Sequence, residues 1–336
     1  MADIDLVIPM VFPQDAEWQR EYERCHGNAD AAKRHVRFRS WGTEELLVQC
    51  VMKWMPWVRY IHILLASESQ EQEWMKRVKR EKGKVKNSLP QPEVRIVYHR
   101  EFMPEKVLPC FNVNTIEMHL HRIPGLSEHF IYSNDDFFPL SPLEPSDFFR
   151  PATTGTEGTE KTEDTEEIVN CKLSNCKLLW PCQHHNEKPY PVNPNVFQRF
   201  VMNGLNMVAA DFGKQFGNTW LRGGHSMQPM LRSTVEKVCA LHADRIGKSF
   251  TLGRTDRNFN QYIFPFYQHL SGEYVDYAPR RQYVGPGTPT GEIARIIRDT
   301  EAGIVCLNDN EKIVDWERRA EIVRREISEK LKGYGL

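Results

Sequence analysis

Phe130-Ile131-Tyr132-Ser133-Asn134-Asp135-Asp136 joins a β-prone apolar run directly to two adjacent carboxylates. Three such residues in succession suit a strand buried on both faces, with the acids standing just past its carboxyl end. Runs of the same kind recur toward the N-terminus over residues 4–11, 58–65 and 94–98. Helical patterns lie between them. Asp15 is placed to cap a helix after the first run, and Thr43 precedes a segment in which Leu46, Leu47, Cys50, Val51 and Trp54 recur at helical spacing until Pro56. Residues 71–82 read as a polar helix, and 113–123 as a helix with Ile116 and Leu120 four apart. Four strands alternating with helices predict an α/β fold, with a mainly parallel, Rossmann-like sheet over residues 1–150. Ligands of such sheets bind beyond the carboxyl ends of the strands. Asp135 and Asp136 stand there, with Asp15, Ser67, Glu68, His99 and Arg100 on the same polar rim.

The chain of 336 residues carries 44 Lys and Arg against 45 Asp and Glu, a net charge of -1, and is 40% hydrophobic. A chain of this size buries roughly three quarters of its unfolded surface, so disorder as the dominant state is excluded. The neutral balance removes the basic stripe of a nucleic-acid binder. No stretch approaches the ~20 apolar residues of a membrane-spanning helix, and residues 1–12 lack the basic start of a signal peptide. Eight cysteines in a chain too long to need disulfides suit a reducing compartment. These features predict a cytoplasmic protein, or one peripheral to the inner face of the cell membrane. Residues 151–170, rich in Thr, Glu and Gly, read as an acidic flexible loop. The second half, 171–336, reads as largely helical, with helices over 195–212, 227–241 and 258–270, the last kinked by Pro265. A strand near 303–307 follows, then a docking helix with Trp316, Ala320, Val323, Ile327 and Leu331 on one face.

Two adjacent carboxylates beside an apolar strand are costly unless hydrated, paired or holding a cation, and a divalent metal on a diphosphate is their natural occupant. Paired aspartates also occur in solvated turns. Asn112 and Glu117 flank the start of the helix leading into this strand. In the second half, Gly223-Gly224-His225 combines close backbone approach with an imidazole able to take a proton from an attacking hydroxyl. Arg254, followed by Asp256, Arg257, Asn258 and Asn260, offers a bidentate donor for phosphate. Cys171, Cys176, Cys182 and His184 form a loosely spaced candidate zinc site. No Gly-rich phosphate loop or serine-hydrolase elbow is present, which removes support for ATP hydrolysis and NAD chemistry.

In order, these motifs resemble the Stealth family of sugar-phosphotransferases. Ile4-Asp5-Leu6-Val7, with Asp15 and Trp18 beyond, is similar to the family's first region. Pro56-Trp57-Val58-Arg59, Leu108-Pro109-Cys110-Phe111-Asn112, Ile116-Glu117, His121-Arg122-Ile123-Pro124-Gly125 and Asn134-Asp135-Asp136-Phe137-Phe138 resemble the second. His225 and Arg254 resemble the third, and Cys306-Leu307-Asn308-Asp309 the fourth. Departures include Met10-Val11-Phe12-Pro13 where Trp-Val-Asp-Gly is usual, and Val113, Gln49 and Asn258 where serine, arginine and aspartate are usual.

The resemblance implies a GT-A-like nucleotide-sugar core and transfer of hexose- or N-acetylhexosamine-1-phosphate from a nucleotide diphosphate sugar to a glycan hydroxyl. It implies Asp135, Asp136 and His225 as catalytic, and Asp5, Asp15, Asn112, Glu117, Arg254 and Asn258 as donor-binding. Mg2+ or Mn2+ would sit on Asp135, Asp136 and Asp309. Two other functions compete: a metal-dependent glycosyltransferase using the same acids, and an inactive glycan-binding protein.

Overall fold

The structure is a computed structural model and describes residues 2–27, 37–81, 91–152, 179–309 and 312–332. Its main sheet contains β1 (Ile4–Pro9), β2 (Tyr60–Leu65), β3 (Glu93–Tyr98) and β4 (His129–Tyr132), mutually parallel in the order β4-β1-β2-β3. Leu6 of the central strand is level with Ile61 on one side and Ile131 on the other. Because side chains alternate along a strand, Leu6, Ile8 and Ile131 enter one core while Val7, Phe130 and Tyr132 enter the other.

Helices cover both faces. On the first face lie α2 (Glu44–Trp54), with Leu47 and Val51, and the C-terminal helix α10 (Trp316–Leu331), which buries Ala320, Val323, Ile327 and Leu331 as its stripe predicts. On the second lie α5 (Val196–Ala209), with Leu205 and Val208, and α8 (Ile263–Ser271), with Phe264. The helices α1 (Ala16–His26), α3 (Glu73–Glu81), α4 (Val113–Glu117), α6 (Arg232–Leu241), α7 (Ala243–Ser249) and α9 (Thr290–Arg298) complete the set named here. Among the described residues, no helix is long and apolar enough to cross a membrane.

The chain is thus a mixed α/β fold, sheet-rich toward the N-terminus and helix-rich toward the C-terminus. Its second half nevertheless contains more strand than its pattern predicts. Gln228–Leu231 is not the start of a helix but β10, which pairs antiparallel with β4 at the edge of the main sheet. Pro229 is acceptable at a sheet edge and costly inside a helix, so α6 begins only at Arg232. Likewise α8 starts at Ile263, and Pro265 falls in its first turn, where the missing N–H forfeits no hydrogen bond. The helix expected over 113–123 ends after α4, and a short turn, Leu120–Arg122, follows. The His119 ring takes the Thr115 carbonyl at 2.8 Å, so its own N–H turns to Ile116.

Three smaller sheets frame the strand ends. In one, β12 (Arg281–Val284) runs parallel to β13 (Ile304–Leu307), which pairs antiparallel with β5 (Phe137–Pro139). Leu307 N–H also donates to the Asp136 carbonyl at 2.8 Å, tying the acidic turn to the far end of the chain. In another, β6 (Phe149–Pro151) and β11 (Val275–Asp276) flank β7 (Leu179–Gln183). The third is the hairpin of β8 (Asn186–Pro189) and β9 (Thr219–Arg222); β9 and β10 hold the two ends of the Gly223-Gly224-His225 segment.

Candidate active site

A cavity of about 900 Å³ opens where the parallel strands end. Its floor is Pro9 at the end of β1 with Met10 and Val11 beyond it, Ala66 after β2, His99 after β3 and Asn134, Asp135 and Asp136 after β4. The second half closes it with His225, Arg254, Asn260, Gln261, Tyr262, Asn308 and Asp309. Of the strand-end rim read from the sequence, His99, Asp135 and Asp136 line this cavity, and Asp15, Ser67, Glu68 and Arg100 do not.

Most of that rim is neutralised locally. Asp15 caps α1 through Trp18 N–H at 2.7 Å and accepts from Ser69 at 2.9 Å, and Glu68 pairs with Arg100. The acids after β4 have no such relief. Burial, and then the charge of Asp135, push the Asp136 carboxyl up to about 8; burial, and then Glu44, push Asp135 up to about 6. One Asp136 oxygen is buried without a hydrogen-bond partner. Glu117 is raised to about 7 by burial, although Gln261 N–H and the Tyr132 hydroxyl donate to it at 2.8 and 2.9 Å. The Arg254 charge opposes the rise in all three.

His225 lies across from the acids, its ring 5.0 Å edge-on from that of Phe137. Burial lowers its pKa to about 4, so it is neutral and able to accept a proton. Donor atoms of Asp136, His225 and Cys306 all lie within 4.8 Å of one another. The Cys306 thiol points at Asp136 at 3.6 Å, and burial with the Asp136 charge raises its pKa far above the ordinary thiol range.

Arg254 is carried on a loop held from below. Asn258 accepts Thr255 N–H at 2.8 Å and donates to Thr251 Oγ1 at 2.9 Å, while Asn112 donates to the Thr251 and Gly253 carbonyls at 3.1 and 3.2 Å and to Asn258 Oδ1 at 3.2 Å. Both asparagines are buried and neither lines the cavity, so their amides shape the arginine loop. Asp5 is also outside the cavity: it sits at the opposite end of β1, fully buried, with Arg59 forked onto it at 2.9 and 2.8 Å. Asp309 lines the cavity with its carboxylate forked by Arg39 at 2.8 and 2.5 Å. Of the candidate zinc ligands, Cys171 and Cys176 lie outside the described residues, as does most of the 151–170 loop. Cys182 faces the Ser146 carbonyl, and His184 pairs with Asp276 at 2.7 Å.

Sequence reading missed Glu44 and Arg39. Glu44 looks like an ordinary acid in the first turn of a helix, where it complements the dipole. Arg39 gives no local signal, since its partner lies 270 residues away and the Trp316 ring, 4.6 Å below it, is equally remote.

A buried acid pair, a neutral histidine and an arginine surround one strand-end cavity, and comparisons with known proteins show the family in which this arrangement stands. Residues 37–156 match the model of Stealth protein CR2, conserved region 2. Over 280 residues the chain is 30% identical to the capsular polysaccharide phosphotransferase fcs1 of Haemophilus influenzae, covering 81% of this chain and 67% of that one. It is 27% identical over 339 residues to the exopolysaccharide phosphotransferase cps2G of Lactiplantibacillus plantarum, covering 98% and 94% of the two chains. It is 36% identical over 151 residues to the capsular polysaccharide phosphotransferase LcbA of Neisseria meningitidis, covering 44% and 38%. The chain belongs to the Stealth family.

Proposed function

We propose that this protein is a sugar-1-phosphate transferase, moving hexose- or N-acetylhexosamine-1-phosphate from a nucleotide diphosphate sugar to a glycan hydroxyl in capsular or exopolysaccharide synthesis. Residues 1–150 form a Rossmann-like, GT-A-like nucleotide-sugar core, and 171–336 complete the active site. The observation that carries this reading is the convergence of Asp136 and His225 from opposite halves of the chain within 4.8 Å. Relatives named as phosphotransferases along nearly the whole length support it.

The acceptor hydroxyl attacks the phosphorus next to the sugar, its proton passes to the neutral His225 imidazole, and the bond to the outer phosphate breaks, releasing nucleoside monophosphate. Arg254 forks the donor phosphate on the loop that Asn112 and Asn258 hold, and Glu117 accepts from the donor sugar. Asp135 and Asp136 fit a hard divalent cation, Mg2+ or Mn2+: their raised pKa values and the unpartnered Asp136 oxygen are those of carboxylates lacking positive charge. When bound, the cation neutralises charge on the diphosphate. Asp309 holds Arg39 in this scheme, Asp15 caps its helix and Asp5 is structural.

The test is a panel of nucleotide sugars incubated with Mg2+ or Mn2+ and glycan acceptors. Monophosphate release with a phosphodiester product is expected. Diphosphate release would make the protein a glycosyltransferase, and glycan binding without turnover would make it a binding protein.

A further inference from the structure

Beside His225, two side chains of β12 lie on one face, because residues two apart on a strand point the same way; the nearer, Tyr283, is level with Cys306 of β13, the thiol that points at Asp136. Tyr283 stands with its ring centre 6.4 Å from that of His225, is 53% exposed, and is fixed by donation of its hydroxyl to Asn308 Oδ1 at 3.0 Å. Arg281, two residues earlier, lies about 7 Å back along the strand. Two glycines leave room for exactly these groups: a Cβ on Gly285 would lie 2.4 Å from the Tyr283 ring, and one on Gly224 would lie 1.9 Å from Arg281 Nη1. The neighbouring Arg280 is paired with Asp299 and Glu301. Arg281, among the described residues, has no carboxylate within ion-pair distance.

Behind Arg281 is a hollow of about 20 Å³, room for a hydroxyl or one water, lined also by Gln183, His185 and Ser226. Ser226 is 5% exposed, and both its hydroxyl and one His185 ring nitrogen are buried without partners. An exposed aromatic ring beside the proposed base, followed one sugar's span later by an unpaired guanidinium and the unpartnered Ser226 hydroxyl, is a track for a sugar followed by an anion. It does not line the strand-end cavity assigned to the donor.

We propose that Tyr283 and Arg281 form an acceptor subsite selecting glycans that carry an anionic group one sugar away from the attacking hydroxyl. The phosphodiester that the transfer itself makes has this chemistry, so the enzyme would favour its own product as the next acceptor. The inference rests on the transfer reading above, and its test separates the two.

Three disaccharide acceptors are compared: neutral, phosphodiester-linked, and carrying a uronate in place of the phosphodiester. Equilibrium binding of each to the full chain is measured by ligand-observed NMR, and turnover by monophosphate release. The phosphodiester acceptor should show at least about tenfold higher kcat/KM than the neutral one, mostly through KM. Arg281→Gln should collapse that ratio toward one in both binding and turnover, with Arg281→Lys restoring part of it, and Tyr283→Ala should raise KM for all three acceptors. Preference for the uronate would name the carboxylate as the anion. Equal binding of all three by the wild type, or a ratio unmoved by Arg281→Gln, would overturn the subsite. Absence of turnover with every acceptor would overturn the transfer reading, while the binding arm still decides the subsite.

Discussion

Asp5 and Asp136 mark the two ends of one sheet and have opposite electrostatics. Burial alone would raise the Asp5 pKa, but Arg59, His62 and Ser127 N–H together hold it well below the usual carboxylate range. Asp136 is buried beside another acid, and its pKa rises. A buried charge that is fully partnered maintains the fold; one left short of positive charge marks where a ligand supplies it. The amino end of the sheet is neutralised by its own side chains, whereas the carboxyl end keeps two buried acids with raised pKa values.

Substitution at each end breaks this contrast in a different way. Asp136→Asn should lower kcat on the order of 10³-fold with the fold intact, read by monophosphate release and circular dichroism. Arg59→Ala should instead strand Asp5 and cost about 3 to 5 kcal/mol of stability in urea denaturation, leaving the donor KM of the folded fraction unchanged.

The pH dependence should also split. Asp136 has a folded pKa above its unfolded one, so its contribution is complete below about 4 and lost as pH rises through about 8. Asp5 has a folded pKa below its unfolded one, so its contribution is present above about 4 and lost as pH falls. The melting temperature of Asp136→Asn should therefore exceed that of wild type at pH 8 and match it at pH 4. Because a cation competes with the proton, raising Mg2+ should move the acid limb of kcat/KM to lower pH in wild type. Asn258→Ala, which loosens only the Arg254 loop, should have the smallest effect, a several-fold rise in donor KM with kcat little changed. An unchanged donor KM would remove that support role.

Much of the site was legible because its elements are local. An apolar run ending in Asp135-Asp136 reads as a strand tip, and paired glycines before His225 read as a close approach, whatever surrounds them. Glu44 and Arg39 were illegible because an acid in a first helical turn and a loop arginine have common structural uses. The same ambiguity points Asp5, Asn112 and Asn258 to donor contact, whereas in the fold partners remote in sequence bond to all three.

From its residues alone, this chain determined the four alternating strands, the position of its acids past the fourth, and the apolar stripe of its last helix, since periodicity and burial are properties of short segments. Tertiary structure alone decided that β10 joins the first sheet, that β13 ties down the Asp136 turn, and that His225 meets Asp136 from 89 positions further along the chain. Such pairings depend on which distant groups compete for each buried charge and hydrogen bond, and that competition is settled only when the whole chain has closed.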